Sequence, residues 1–247
     1  MSSKCIYCGK SPSGYYYQDW RGTVVCQEHK DCIIQCDSCY GFYERAGSDV
    51  YQVEKGRFVC KTCIDNEVTL SNLGWTKKQV LSRLSKVGFD DIRDDILNIK
   101  IISKEEMNKM NEIATGLHYG WSDICVRGRY NFEQTIFVMS HLNKIHFAKI
   151  LAHEYLHAWQ LQNNIWEYNE YENNHKAKCI CEGFAQMGSY LILSTIEHPL
   201  AKQLLESMFR DDEEVYGKSF QKIFKRYEEV GWFGIIREAR LKQLKID

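Results

Sequence analysis

The chain has 247 residues, a formal net charge of −1 at pH 7, and 11 cysteines. The balanced charge gives no general attraction to nucleic acids or acidic membranes, so we expect neither as a partner. No stretch approaches the length of a membrane span, and the N-terminal residues MSSKCIYC lack an apolar signal segment. We therefore expect a cytoplasmic protein, in which cysteines indicate metal ligation rather than disulfides.

Eight of the 11 cysteines lie in the first 63 residues, where pairs with a two-residue spacer recur. The four pairs are Cys5-x2-Cys8, Cys26-x2-His29, Cys36-x2-Cys39 and Cys60-x2-Cys63. Four such pairs supply the ligands for two tetrahedral structural zinc ions. The segment has few apolar runs and could hardly bury an adequate core without metal. We therefore predict a double-zinc module, LIM-like or zinc-ribbon-like, over residues 1–66.

The first zinc site has two candidate ligand sets. Sequential pairing joins the first two pairs in one site and the last two pairs in the other. A LIM-type register would instead use His29 with Cys32 and leave Cys26 over. Each register uses eight of nine candidates, so this count leaves both open. We favour Cys26 with His29 because their two-residue spacer matches the other three pairs.

Residues 67–110 are predicted to form a helical connector that carries no chemistry. The segment WTKKQVLSRLSKVGF has apolar residues at helical spacing, with Thr76 as the N-cap and Gly88 as the stop. The run ILNIKII predicts a strand. Ser103 and Glu106 have the spacing of a capping box, which indicates a short helix after that strand.

The pentapeptide HEYLH lies in an apolar stretch without glycine or proline, KIHFAKILAHEYLHAWQL, which predicts a helix. His153 and His157 are four residues apart, so both imidazoles lie on one helix face. HExxH on a helix is typical of zinc peptidases, in which the histidines bind the ion and the glutamate takes a proton from the activated water. Glu154 is that glutamate. The alternative is a helix with two satisfied histidines and a solvated glutamate.

A third protein ligand is needed for a catalytic zinc site. The continuation HExxHxxGxxH is excluded, because AWQLQNN follows His157. The stretch HKAKCICEGFAQMGSYLIL predicts a second helix whose one internal acid, Glu182, has apolar neighbours. A buried carboxylate is costly unless compensated, so we predict a zinc ligand, with a Lys or Arg partner as the alternative. Weaker candidates in the polar run between the helices are Glu167, Glu170 and Glu172.

Two strand candidates, ICVRGRYNF and TIFVMS, lie just upstream of the HEYLH helix. An edge strand beside that helix could pair with an extended substrate, although an ordinary core strand fits the pattern equally well. From Ala201 to the C-terminus, apolar residues at helical spacing predict two or three packing helices.

Four features occur together in this chain: the paired cysteines, the HExxHAW helix, an EG-x-x-Q element around Glu182, and VYG-x-x-F from Val215 to Phe220. In this combination the chain resembles the LIM-linked, ubiquitin-activated peptidases that limit organ growth in plants. The resemblance runs from about Cys5 to the C-terminus.

The resemblance implies His153, His157 and Glu182 as zinc ligands and Glu154 as the general base. The sequences CQEH and CDSC also resemble the family, which demotes Cys32 to a spare residue. The plant members carry ubiquitin-interacting motifs and a further LIM module upstream, which we do not find in this sequence. Ubiquitin-linked regulation is therefore implied by the resemblance alone. A compact microbial member of the family without that regulation would also fit the sequence.

We expect an α+β fold, with the double-zinc module followed by a zincin-type, gluzincin-like domain over residues 67–247. That domain is expected to be mainly helical with a small sheet. The expected function is a zinc endopeptidase acting on protein or peptide substrates, with one catalytic and two structural zinc ions. Tyr216, in the VYG element, is our preferred donor to the oxyanion, ahead of His198, His175 and Tyr190. The alternative, which the residue type favours, is a structural tyrosine that caps the core through its hydroxyl. The alternative function is a non-catalytic protein-interaction scaffold.

Overall fold

A computed structural model describes residues 4–45, 47–110, 120–127, 131–165 and 174–245. In the cysteine-rich front part, residues 4–66, short antiparallel hairpins carry the cysteine pairs. The hairpins pair β1 (Tyr16–Gln18) with β2 (Val24–Cys26), β3 (Ile33–Gln35) with β4 (Phe42–Glu44), and β5 (Val50–Glu54) with β6 (Arg57–Cys60). A 3-10 helix, Gln27–Cys32, follows β2, and a short helix α1, Lys61–Asp65, follows β6.

The rear part combines a three-stranded sheet with long helices, so the predicted α+β class is confirmed. The sheet contains β7 (Leu97–Ile102), β8 (Gly120–Arg127) and β9 (Asn131–Met139). The described helices are α2 (Leu73–Lys86), α3 (Lys104–Met110), α4 (Lys144–Gln162), α5 (His175–Ser194), α6 (Pro199–Arg210), a π-helical turn (Glu214–Lys218) and α7 (Ser219–Arg240). None of these described helices is long and apolar enough to cross a membrane.

The central strand of the sheet is β9. It pairs with β7 in parallel and with β8 in antiparallel orientation, so the order is β7-β9-β8. The predicted strand TIFVMS is confirmed, because all but its last residue lies in β9. The prediction of ICVRGRYNF as one strand was wrong: its first four residues end β8, residues 128–130 are outside the described part of the chain, and its last two residues begin β9. Strand β8 lies at an edge of the described sheet. Helix α4 packs against β8 and β9.

The predicted connector contains the expected helix and strand, with one correction. The predicted capping box is confirmed, because Glu106 Oε2 accepts from Ser103 N at 2.8 Å and Ser103 Oγ accepts from Glu106 N at 3.2 Å. Gly88 has a φ of +112° just after α2, as a helix stop requires. The prediction of Thr76 as N-cap was wrong.

Helix α2 begins at Leu73, which places Thr76 inside its first turn, where the residue is buried. Asn72 occupies the N-cap position instead. Its side-chain oxygen accepts from Thr69 N at 3.0 Å, which closes a turn before the helix. Leu73 packs against the hydrophobic core. This tertiary contact stabilises helical structure on the N-terminal side of Thr76, where the sequence alone predicts the cap.

The start of α4 is bound to the cysteine-rich front part through a buried network. Asn143 is the N-cap, and its side-chain oxygen accepts from Ile145 N at 3.1 Å and His146 N at 3.0 Å. Its Nδ2 donates to the carbonyl of Ser38 at 2.9 Å. His146 Nδ1 lies 2.9 Å from the same carbonyl. Burial lowers the pKa of His146 to about 3, so the ring is neutral and donates.

Helices α4 and α5 approach each other closely at a glycine. A Cβ on Gly188 would lie 2.5 Å from the carbonyl oxygen of Ala152. Only a residue without a side chain fits this contact. Because Ala152 precedes His153, the contact brings the HEYLH turn against α5.

We expect Asn143→Ala to lower the free energy of unfolding by about 2–4 kcal/mol. The cap itself contributes about 0.5–2 kcal/mol, and the variant also loses the buried hydrogen bonds from Nδ2 to the Ser38 carbonyl and to Cys63 Sγ. Asn174→Ala is the matched control, since Asn174 caps α5 through Ala177 N at 3.2 Å from an exposed position. Urea unfolding of both variants checks the difference, and equal losses would contradict the energetic link between the front part and α4.

Candidate metal centres

The first candidate metal centre brings together Cys5, Cys8, Cys26 and His29, whose ligand atoms lie within 4.8 Å of one another. The Sγ atoms of Cys8 and Cys26 are 4.0 Å apart, and Cys5 Sγ is 3.8 Å from His29 Nδ1. Sulfur atoms about 2.3 Å from a tetrahedral zinc lie about 3.8 Å apart. The described cluster therefore fits one structural ion, and Cys32 is not part of it.

The second candidate centre contains four buried cysteines, Cys36, Cys39, Cys60 and Cys63. Cys39 Sγ lies 3.9 Å from Cys60 Sγ, which again matches the sulfur spacing around zinc. Backbone and side-chain N–H groups point at the sulfurs: Cys60 N donates to Cys36 Sγ at 3.3 Å, and Asn143 Nδ2 to Cys63 Sγ at 3.5 Å. Such donors favour thiolates, the form that binds metal. This cluster could hold a structural zinc ion.

The third candidate centre joins His153 and His157 of α4 with Glu182 of α5. The two Nε2 atoms are 3.0 Å apart, and Glu182 Oε2 lies 3.1 Å from His157 Nε2 and 3.3 Å from His153 Nε2. Ligand atoms about 2.0–2.1 Å from a tetrahedral zinc lie about 3.4 Å from one another. Two imidazoles and one carboxylate are also the ligand set of many catalytic zinc sites. The triangle therefore fits one divalent ion.

The charges in this triangle favour a cation. Burial would raise the pKa of Glu182, but the neighbouring His157 and His153 hold it well below its usual value. Burial would likewise lower the pKa of His157, but the charge of Glu182 raises it well above the usual value. An ionised carboxylate is thus held between two ring nitrogens, and a metal ion can replace the proton that balances it.

The two imidazoles of the triangle are partly exposed to solvent. The side chains of His153 and His157 are 13% and 15% exposed to solvent, whereas that of Glu182 is 5% exposed. Glu154 follows His153 on α4 and is buried. The site therefore has an outer side formed by the imidazoles, where a water or a substrate group could bind.

Tyr216, the preferred oxyanion donor, lies beside the triangle. Its ring centroid lies 6.5 Å from that of His153, and it belongs to the π-helical turn Glu214–Lys218. Burial raises the pKa of Tyr216, and the negative charges of Glu182 and Glu154 raise it further. The phenol consequently keeps its proton and can donate a hydrogen bond.

The other three donor candidates have different surroundings. His198 caps α6 by accepting from Leu200 N at 3.1 Å. Tyr190 lies in an aromatic cluster, with its ring 4.9 Å from that of Phe224. His175 is exposed, with Nε2 3.4 Å from a carboxylate oxygen of Glu214.

The weaker ligand candidates from the sequence lie outside the described residues: Glu167, Glu170 and Glu172.

Two residues near the triangle carry hydrogen bonds that the sequence prediction did not include. Gln160 is buried, with Oε1 3.0 Å from His157 Nδ1, and Cys181 Sγ lies 3.1 Å from that same oxygen. The position of Gln160 could have indicated its role, because a polar residue three positions after a ligand on a buried helix face can bond to that ligand. Cys181 gave no comparable signal, because a buried cysteine usually behaves as a small apolar residue.

No protein-family model, curated protein or solved structure matches this chain significantly. The function therefore has to be inferred from the chemistry of the three clusters.

We expect the purified chain to contain about three zinc ions, one for each cluster. Glu182→Ala removes one of three ligands from the third cluster, so its content should fall to about two. Glu197→Ala, at an exposed position after α5, is the matched control and should retain three. Elemental analysis after gel filtration measures the contents, and three ions in Glu182→Ala would refute the role of that carboxylate.

Proposed function

We propose that the chain is a zinc-dependent endopeptidase of the gluzincin type, built on a zincin-like domain over residues 67–247. The observation that supports it most is the triangle of His153, His157 and Glu182 beside the buried Glu154. That combination joins a ligand set for a Lewis-acidic ion to a carboxylate that can move protons.

The residues would divide the work of peptide hydrolysis. His153, His157 and Glu182 would hold a zinc ion, which when bound would supply Lewis acidity to activate water and polarise a carbonyl group. Glu154 accepts the proton of the attacking water and passes it to the leaving amine. Tyr216 donates a hydrogen bond to the oxygen that becomes negatively charged in the transition state.

Strand β8 is the proposed substrate-binding edge. It pairs with β9 on one side and with no other strand of the described sheet. It also packs against α4, the helix that carries HEYLH. An extended peptide could add to that edge through backbone hydrogen bonds, so we expect the substrates to be unfolded protein segments.

The front module is proposed to recruit substrates or partner proteins. It exposes several tyrosines, including Tyr7, Tyr15 and Tyr16, which keep 55%, 88% and 53% of their area accessible. Exposed tyrosines are common at protein interfaces. A cytoplasmic location belongs to the same proposal, and ubiquitin-linked regulation rests on the family resemblance alone.

We expect Glu154→Gln to lower kcat/KM for peptide cleavage by about 10²–10⁴-fold, because the amide cannot accept the water proton. Its zinc content should stay at that of the wild type, since Glu154 is not a ligand in the proposed site. Glu206→Gln, on α6, is the control and should cleave normally. Cleavage of a fluorescent peptide library measures all three proteins, and wild-type activity in Glu154→Gln would refute its role as base.

We expect Tyr216→Phe to lower kcat by about 10²–10³-fold with an unchanged zinc content, because the loss removes one oxyanion donor. Tyr51→Phe, at an exposed position in β5, should leave kcat unchanged. Steady-state kinetics on one identified peptide gives the comparison. A kcat of Tyr216→Phe within twofold of the wild type would assign the oxyanion to another donor.

The peptidase proposal and the scaffold alternative predict different results for the wild-type chain mixed with denatured proteins. If the peptidase proposal holds, the zinc-loaded chain cleaves the proteins and a chelator prevents the cleavage. A fully zinc-loaded chain that cleaves none of the mixture would favour the scaffold.

A further inference from the structure

Gln160 links one proposed metal ligand to the backbone next to another. It lies almost one helical turn after His157 on α4 and is 2% exposed. Its Oε1 is 3.0 Å from His157 Nδ1, and its Nε2 donates to the carbonyl of Cys181 at 3.0 Å. Cys181 immediately precedes Glu182 on α5. One amide therefore contacts both helices at their ligand positions.

The carbonyl of Cys181 determines which way the amide faces. A backbone carbonyl can only accept hydrogen bonds, so the NH₂ group of Gln160 must face it. The side-chain oxygen of Gln160 then faces His157, and an oxygen of this kind can only accept. The reverse orientation would set two carbonyl oxygens against each other in a buried position, which is strongly unfavourable.

The amide orientation in turn determines the tautomer of His157. Because Gln160 Oε1 accepts, the hydrogen of the neutral ring is on Nδ1, and Nε2 carries the lone pair. Nε2 is the atom that lies 3.1 Å from Glu182 Oε2 and 3.0 Å from His153 Nε2. The lone pair is thus presented to the centre of the triangle, in the form that can bind a metal ion.

The thiol of Cys181 completes this arrangement. Its Sγ lies 3.1 Å from Gln160 Oε1 and 3.7 Å from His157 Nδ1, so its hydrogen can reach the same side-chain oxygen. The oxygen of Gln160 then accepts from two donors while its NH₂ group is bound to α5. Buried groups with several partners have fewer accessible orientations than exposed ones, so the ring of His157 is held in one position.

We propose that Gln160 is a positioning residue that fixes the tautomer and ring orientation of His157 for metal binding. This inference rests on the proposed function, because it takes the HEYLH triangle to be a metal site. Hydrogen-bond partners of ligating histidines typically change metal affinity 10–100-fold when they are removed.

Three variants test the proposal through the zinc affinity of the third site, measured by chelator competition with the two cysteine-rich sites loaded. Gln160→Leu removes all three hydrogen bonds of this amide and should bind zinc 10–100-fold more weakly. Gln160→Glu keeps an acceptor for His157 but loses the donor to Cys181, so it should retain affinity within about threefold while melting at a lower temperature. Gln162→Leu is the control on the same helix.

Gln162 is a suitable control because it makes side-chain hydrogen bonds that do not involve a ligand. Its Oε1 accepts from Arg93 N at 2.8 Å, and its Nε2 donates to Gln134 Oε1 at 2.8 Å. Gln162→Leu should leave the zinc affinity unchanged. The Nδ1 hydrogen of His157 should also give a slowly exchanging NMR signal in wild type and Gln162→Leu, and exchange rapidly in Gln160→Leu.

The outcomes separate this inference from the peptidase proposal. Equal zinc affinities of wild type and Gln160→Leu would overturn the positioning role, and so would a Gln160→Glu variant that binds as weakly as Gln160→Leu. Should Gln160→Leu not fold, the Gln160→Glu affinity and the NMR signal of the wild type still decide. A wild-type chain that binds the third zinc but cleaves no peptide refutes the peptidase proposal and leaves the affinity comparison intact. Failure of wild type to bind a third zinc overturns both.

Discussion

The contact between the backbones of α4 and α5 is the constraint on which the third cluster depends. At Gly188 the two helices are too close for a Cβ, and the contact falls at Ala152, one residue before the HEYLH turn. The same approach lets Glu182 reach both imidazoles and lets Gln160 reach across to the carbonyl of Cys181. A wider separation of the helices would part the ligands before it disturbed either helix.

The features that the sequence predicted correctly depend on short-range spacing. Two histidines four residues apart in an apolar helix share a face whatever the rest of the chain does, and Glu182 is the one acid inside the next apolar helix. The cysteine pairs and the capping box of Ser103 are equally local. These patterns need no knowledge of how the elements pack, so the candidate ligands could be named from the sequence.

The features that escaped prediction depend on packing between distant segments. Asn143 and Ser38 are 105 positions apart, so their contact exists only once the front part lies against α4. The role of Gln160 likewise follows from a carbonyl on another helix. Thr76 carried a valid local signal, but the packing of Leu73 overrode it. Tyr216 could be proposed from its motif, whereas its position near His153 required the π-helical turn.

The network around Ser38 has a consequence for how the chain matures. Ser38 lies in the loop between Cys36 and Cys39, so its carbonyl is oriented by whatever holds those two thiols together. The first turn of the helix that carries HEYLH is anchored to that carbonyl. If the cluster of Cys36, Cys39, Cys60 and Cys63 holds zinc, a chain synthesised under zinc starvation would lack an ordered loop there. Helix α4 would then lose its anchor even if both imidazoles were intact. Acquisition of a structural ion and assembly of the triangle of His153, His157 and Glu182 would in this way be steps of the same event.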